Sequence, residues 1–173
     1  MPVSEPLLSA FVWPQVMAVL DAPGRSGFSD IEFANCPWCL GFEGTVKYAK
    51  KNLRTIKDSA IDYGLSTTQE ARFPRIDLGA EQTGINFFRV KPSQREAFAH
   101  RHRVAEEIYV VLSGSGRVKL DDEMIDLSPL DAVRVSPGVA RAFEAGPDGL
   151  EVLIFGPHVE GDGETVPDFW GSG

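Results

Sequence analysis

The chain has 173 residues, 43% of them hydrophobic, and a formal charge of -8. That length supports one well-buried core with extensions, and the acidic balance argues against nucleic acid or an anionic membrane surface as partner, because both are polyanions. A small molecule is the expected partner.

From Met1 to about Gly44 the sequence has scattered apolar residues, frequent Pro and Gly, and no sustained period, which predicts an irregular N-terminal arm. A short helix over Gln15 to Asp21 is the one regular element expected there, from the spacing of Val16, Val19 and Leu20. The apolar stretch Leu7 to Leu20 lacks a basic leader, contains Pro14 and Gln15, and is too short to span a bilayer, so no export is expected. Cys36 and Cys39 are too close together to frame a secreted disulfide fold, which fits a reducing cytoplasm. A redox or zinc role for them would need a βαβ setting or two further ligands, neither of which the sequence offers, so they read as incidental thiols. Thr45 to Leu65 carries Lys47, Lys50, Lys51, Arg54 and Lys57, a solvated lead-in to the strand-rich region.

From about Arg75 the texture changes to short runs of Val, Ile, Phe and Tyr punctuated by Gly, Pro, Asp and Ser. Strands are expected at Ile85 to Val90, Ala97 to His102, Glu107 to Leu112, Gly116 to Leu120, Glu123 to Leu127, Ala132 to Val135, Arg141 to Glu144 and Leu150 to Phe155. Asp121 and Asp122 suit a tight hairpin, and Gly114 and Gly116 suit backbone positions that a side chain would block. Many short strands without helical interludes predict an all-β antiparallel barrel or sandwich. The expected organisation is an arm over residues 1–44, a barrel with its lead-in over 45–160, and a polar tail over 161–173. Val166, Phe169 and Trp170 can clip that tail to the body or to a neighbour.

The segment from His100 to Gly116 carries the chemistry. Residues two apart on a strand share a face, so His100 and His102 present two imidazoles together while Arg101 points away. Glu107 heads the next apolar strand, and an intervening turn can bring its carboxylate opposite the imidazoles. Two neutral nitrogens and one anionic oxygen make a facial set suited to one divalent ion of Fe, Mn, Zn or Ni, with positions left open for water or substrate. Tyr109 and Val111 fall on the same strand face as Glu107 and would wall the site.

This segment resembles the first motif of the cupin superfamily, a His-x-His pair followed by Glu and then Gly. His100, His102, Glu107 and Gly114 fall at its spacing, and Gln94 stands where its leading Gly would be. Leu130 to Ala145 resembles the second motif at Asp131, Gly138 and Phe143, but Leu130 replaces the Gly, Ser136 the Pro, Ala145 the Asn, and Arg141 the metal-binding His. The resemblance covers roughly Arg75 to Pro157 and implies an antiparallel double-stranded β-helix, the cupin jelly-roll barrel. It also implies metal ligation by His100, His102 and Glu107, and a homodimer.

A guanidinium stays protonated and donates no lone pair, so Arg141 is not a replacement ligand. Three placements are open to it: inward, gripping a substrate carboxylate or phosphate together with Tyr109; paired with Glu107 in a metal-free barrel; or turned out to solvent. His158 can reach the site only if the chain after the last strand folds back over the barrel mouth. The expected function is therefore a metal-dependent cupin acting on a small oxygenated or carboxylated ligand, by oxygenation or isomerisation. The rival is a non-catalytic module that binds a small anion through Arg141 or acts as a dimeric scaffold.

Overall fold

The structure, a computed structural model, describes residues 48–171. The N-terminal arm, the helix expected at Gln15 to Asp21, the Cys36 and Cys39 pair and Lys47 lie outside the described residues. Two 3-10 turns, Leu53–Thr55 and Ser59–Ile61, lead into eight strands. These are β1 (Gln69–Arg72), β2 (Gly84–Val90), β3 (Ala99–His102), β4 (Glu107–Leu120), β5 (Glu123–Leu127), β6 (Ala132–Val135), β7 (Arg141–Gly156) and β8 (Gly163–Val166), with a single-turn helix α1 (Arg75–Leu78) between β1 and β2. Among the described residues no helix is long and apolar enough to cross a membrane.

All pairings are antiparallel, and two long strands organise them. β7 pairs with β2 through Leu150 to Gly156, with β4 along most of its length, and with β3 where His100 faces Arg141. β4 pairs with β6 near its start and with β5 near its end. Where the sequence pattern suggested four separate short strands, the chain runs as β4 and β7, each bent in the middle. The bend falls where the β4 to β7 register shifts, between Val111 and Ser113 and again between Gly114 and Gly116. Glycine is needed there because the two backbones nearly touch: a Cβ on Gly114, whose φ is +82°, would sit 2.0 Å from the Gly149 carbonyl oxygen. One on Gly116 would sit 2.2 Å from that of Glu144. The bends curl a single sheet into a barrel with a continuous interior.

Inside, alternation sets which residues meet. Val90, Val111, Val118, Phe143, Leu150 and Val152 are at most 2% exposed and form the apolar core. Burying each side chain of this size contributes about 1.5–3 kcal/mol. Tyr109 packs its ring on Phe143 at a centroid distance of 5.1 Å. The Asp121 and Asp122 hairpin forms as expected, with Asp121 at φ 51° and its carboxylate accepting the Ala140 N–H.

Two elements were not visible in the sequence pattern. β1 is polar by composition, yet Gln69 is 1% exposed because its side-chain oxygen caps the Ala97 N–H. β8 lies in the stretch that reads as a polar tail, and it pairs with β3 in the register Ala99 to Val166, His100 to Thr165, Arg101 to Glu164 and His102 to Gly163. Beyond β8 the chain is clipped back: the Trp170 indole donates to the Glu96 carbonyl and lies under Arg95, and Lys119 sits over the Phe169 ring.

Candidate metal centre

β3 and the head of β4 bring His100, His102 and Glu107 together. All three are buried, and one donor atom from each lies within 4.8 Å of the others. His102 Nε2 is 3.4 Å from Glu107 Oε1, and His100 Nε2 is 3.8 Å from Glu107 Oε2. The two imidazole rings stand edge to face, 87° apart. The strand spacing explains this: Arg101 points outward to Glu164 while its neighbours turn in.

The second motif supplies Arg141, on the strand directly opposite His100. Its side chain is 1% exposed, which rules out the solvent-facing placement. The guanidinium is directed at Glu107: one terminal nitrogen donates to Glu107 Oε2, Nε donates to the Tyr109 hydroxyl at 2.8 Å, and the other terminal nitrogen donates to the Val139 carbonyl at 3.2 Å. Tyr109 in turn donates its hydroxyl hydrogen to the same Glu107 oxygen. Of the three placements open to Arg141, the protein thus adopts the pairing with Glu107, and every guanidinium nitrogen is committed within the barrel wall. Tyr109 faces the interior cavity; Arg141 does not border it.

Charge states follow from this packing. Burial and then the Arg141 charge pull His100 down to about 4, so its imidazole is neutral at pH 7. Burial pushes the Glu107 carboxyl up, but the His100 and His102 imidazoles and the Arg141 charge outweigh it and hold the group well below its ordinary range, ionised. Burial and the Glu107 charge raise Tyr109 well above the usual phenol value, keeping it a donor.

These residues fit a divalent cation. Two donors each about 2.0–2.2 Å from one ion are at most about 4.4 Å apart, so the present separations need little closure. His100 is neutral, as a ligand must be, and Glu107 keeps one oxygen, Oε1, clear of Arg141 and Tyr109.

Next to the cluster opens a cavity of about 110 Å³. The lead-in segment roofs it with Ala60, Tyr63 and Leu65, and Phe73, Phe88, Phe98 and Ile154 form its apolar walls. His158 also borders it, because the chain after β7 does fold over the mouth, but it is not part of the three-donor cluster.

Two site residues escaped the sequence reading. Glu96 borders the cavity, is 4% exposed and accepts the Phe143 N–H. Burial raises its carboxyl to about 8, against the Phe143 hydrogen bond and the Arg141 charge. Counting back in twos from His100 through Phe98 reaches it, so the signal was present. Asp162 is 2% exposed and lies 3.2 Å from His102 Nδ1. In sequence it sits in a Gly-rich run with nothing to distinguish it.

A curled antiparallel barrel with an inward His, His, Glu set defines the class. Residues 86–155 match the family described as Cupin domain. An uncharacterized protein of Methanocaldococcus jannaschii, MJ1618, is 28% identical over 100 residues, covering 58% of this chain and 78% of that protein. Among solved structures, a cupin protein from Bacteroides fragilis is 21% identical with a TM-score of 0.53 and covers 75% of this chain and 98% of its own. The polyketide cyclase RemF from Streptomyces resistomycificus is 20% identical with a TM-score of 0.57, over 68% of this chain and 84% of its own. Oxalate decarboxylase from Bacillus subtilis is 22% identical with a TM-score of 0.59; the match covers 73% of this chain but 34% of that one. At these identities the structures share the fold.

Proposed function

We propose that the protein binds one divalent cation of Fe, Mn, Zn or Ni through His100, His102 and Glu107 and acts on a small oxygenated ligand held in the adjoining cavity. The convergence of three buried donor atoms within 4.8 Å carries this reading. A bound cation would polarise a carbonyl or hydroxyl of the ligand as a Lewis acid, or with iron support oxygenation; isomerisation and oxygenation are the reaction classes the reading allows. Arg141 and Tyr109 hold Glu107 by one oxygen and leave the other turned toward His102. Tyr109 also lines the cavity, to which Tyr63, Phe73 and Phe98 give aromatic walls. Because the guanidinium is engaged by Glu107, a ligand carboxylate reaches Arg141 only by displacing that pair.

One observation favours a second reading. The Arg141 to Glu107 bond is what a metal-free cupin would use to neutralise a buried carboxylate, and a protein of that kind would bind a small anion or serve as a scaffold. The two readings separate on titration of chelator-stripped protein with Mn(II), Zn(II), Ni(II) and anaerobic Fe(II), followed by thermal unfolding. A cation that binds the folded state raises the midpoint, and Glu107→Gln removes the rise. No rise with any of the four favours the metal-free module.

We also propose a homodimer. Ile108 and Phe155 pair across β4 and β7 on the outer face of the sheet and remain 41% and 37% exposed, with Leu112 beside them at 41%. Exposed apolar side chains on a paired strand face are suited to cover by a second copy. Sedimentation of Ile108→Glu should show a monomer where the parent is a dimer; a parent that sediments as a monomer contradicts the proposal. A cytoplasmic location is proposed with it.

A further inference from the structure

We infer that Asp162, carried by the segment after the last long strand, is the positioning residue that presents His102 to a bound cation, by holding a hydrogen on Nδ1 and leaving the lone pair on Nε2. The inference rests on the proposed metal binding, and it assigns a role in the site to a stretch that in sequence reads as a polar tail.

A neutral imidazole carries one N–H and one lone pair, and a ligating His normally donates its second nitrogen to a fixed acceptor that sets the tautomer. His102 Nε2 is the nitrogen that faces Glu107, at 3.4 Å, so the other nitrogen must keep the hydrogen if this one is to ligate. His102 Nδ1 is buried, lies 3.2 Å from Asp162 Oδ2 at ion-pair distance but outside hydrogen-bond geometry, and has no hydrogen-bond partner among the described residues, so the carboxylate faces it without yet being aligned on it. A carboxylate only accepts, so its presence there selects Nδ1–H.

The carboxylate is itself held rigidly. Its Oδ1 accepts the N–H groups of Arg103 at 3.0 Å and Val104 at 2.8 Å, and Oδ2 accepts that of Ala105 at 2.9 Å. Those three amides belong to the turn joining His102 to Glu107, so one side chain both shapes the turn between the ligands and faces the imidazole. β8 sets its place: His102 pairs with Gly163, which puts the preceding residue beside the ring. The Arg103 N–H also reaches the Asp162 carbonyl at 3.2 Å.

The test compares Asp162→Asn with Glu164→Ala. The second variant loosens the same strand by removing the side-chain ion pairs to Arg101 and Arg103, and leaves in place the Asp162 carboxylate and the three turn amides that donate to it. Two readouts are taken on the full chain: the ring ¹⁵N shifts of His102 in metal-stripped protein, and the Kd for Zn(II) alone. Native protein should show the Nδ1–H tautomer. Asp162→Asn, whose amide can donate to Nδ1, should move to Nε2–H and weaken Zn(II) binding by about 10–100-fold, while Glu164→Ala should change neither. Native protein already in the Nε2–H form overturns the inference. So does an Asn variant that keeps Nδ1–H and native affinity, or an equal loss in Glu164→Ala. If native protein binds no Zn(II), the metal reading fails by itself, and the ¹⁵N shifts still decide the role of Asp162.

Discussion

The two ends of the barrel interior are built by the same strands and differ completely in chemistry. Along β4 the inward positions read Glu107, Tyr109 and Val111, and after the bend Val118; along β7 they read Arg141 and Phe143, and after the bend Leu150 and Val152. One end is therefore a buried ionic network and the other an apolar core, separated by only two or three residues of strand. The difference teaches that the fold is secured at the apolar end, where each side chain stabilises by leaving water. At the polar end, desolvation of Glu107 and Arg141 costs much of what their attraction returns. A polar end maintained at that cost is expected where a ligand is bound.

Breaking the polar end should have the largest effect. Arg141→Met leaves the Glu107 carboxylate buried and unpaired, and should destabilise metal-free protein by about 3–5 kcal/mol in urea unfolding. The same variant removes a fixed cation next to the donors and should tighten Zn(II) binding. The double variant Glu107→Gln with Arg141→Met should regain most of the lost stability. A single variant as stable as the parent would mean that the pair does not form.

At the apolar end, Leu150→Ala removes a side chain that is 1% exposed and should cost about 2–5 kcal/mol while leaving the Zn(II) Kd within a factor of about two. Loss of metal affinity on that substitution would show that the two ends are not separable.

Glu96 sharpens the comparison from the cavity wall. Its carboxyl is raised from 4.5 to about 8 in the folded protein, so the folded state keeps a proton that the unfolded chain gives up. Its contribution to stability is complete below pH 4.5 and is lost as pH rises through about 8. Native protein should therefore lose stability across that window relative to Glu96→Gln, by at most about 1.4 kcal/mol per pH unit. Parallel profiles for the two proteins would contradict a neutral Glu96.

The smallest effect is expected outside the barrel interior. Leu130 occupies the position where the resemblance expects Gly, and the structure shows why Gly would suit: its φ is +74° and its side chain points to solvent at 83% exposure. An L-residue in that conformation is strained by about 1–2 kcal/mol, partly offset by the greater freedom of Gly in the unfolded chain. Leu130→Gly should stabilise by about 0.5–1 kcal/mol in the same unfolding assay. Destabilisation would mean that the leucine side chain makes a contact of its own.

Legibility from the sequence divides along the same line. The strands from Ile85 to Phe155 were legible because inward and outward residues alternate there, and the His100 and His102 pair was legible because two-residue spacing fixes a shared face. The continuity of β4 and β7 was not, since Gly114 and the Gly146 to Gly149 region punctuate the sequence as turns do, while in space they are bends where backbones cross closely. β1 and β8 were not, because their stability comes from pairing with β2 and β3 and not from apolar content. Asp162 was hidden for the same reason, since only the register of β8 on β3 brings it to His102. Arg141 was legible as an anomaly, but its partner among the open choices was decided by three-dimensional proximity to Glu107 and Tyr109.

The metal site is tested most directly by the metal content of purified, tag-free protein measured beside His102→Ala, both after exposure to Fe(II), Mn(II), Zn(II) and Ni(II). Close to one cation per chain is expected in the native protein, with a large loss in the variant. A native protein that retains none of the four would contradict it and leave the Arg141 to Glu107 pair as the working state of the barrel.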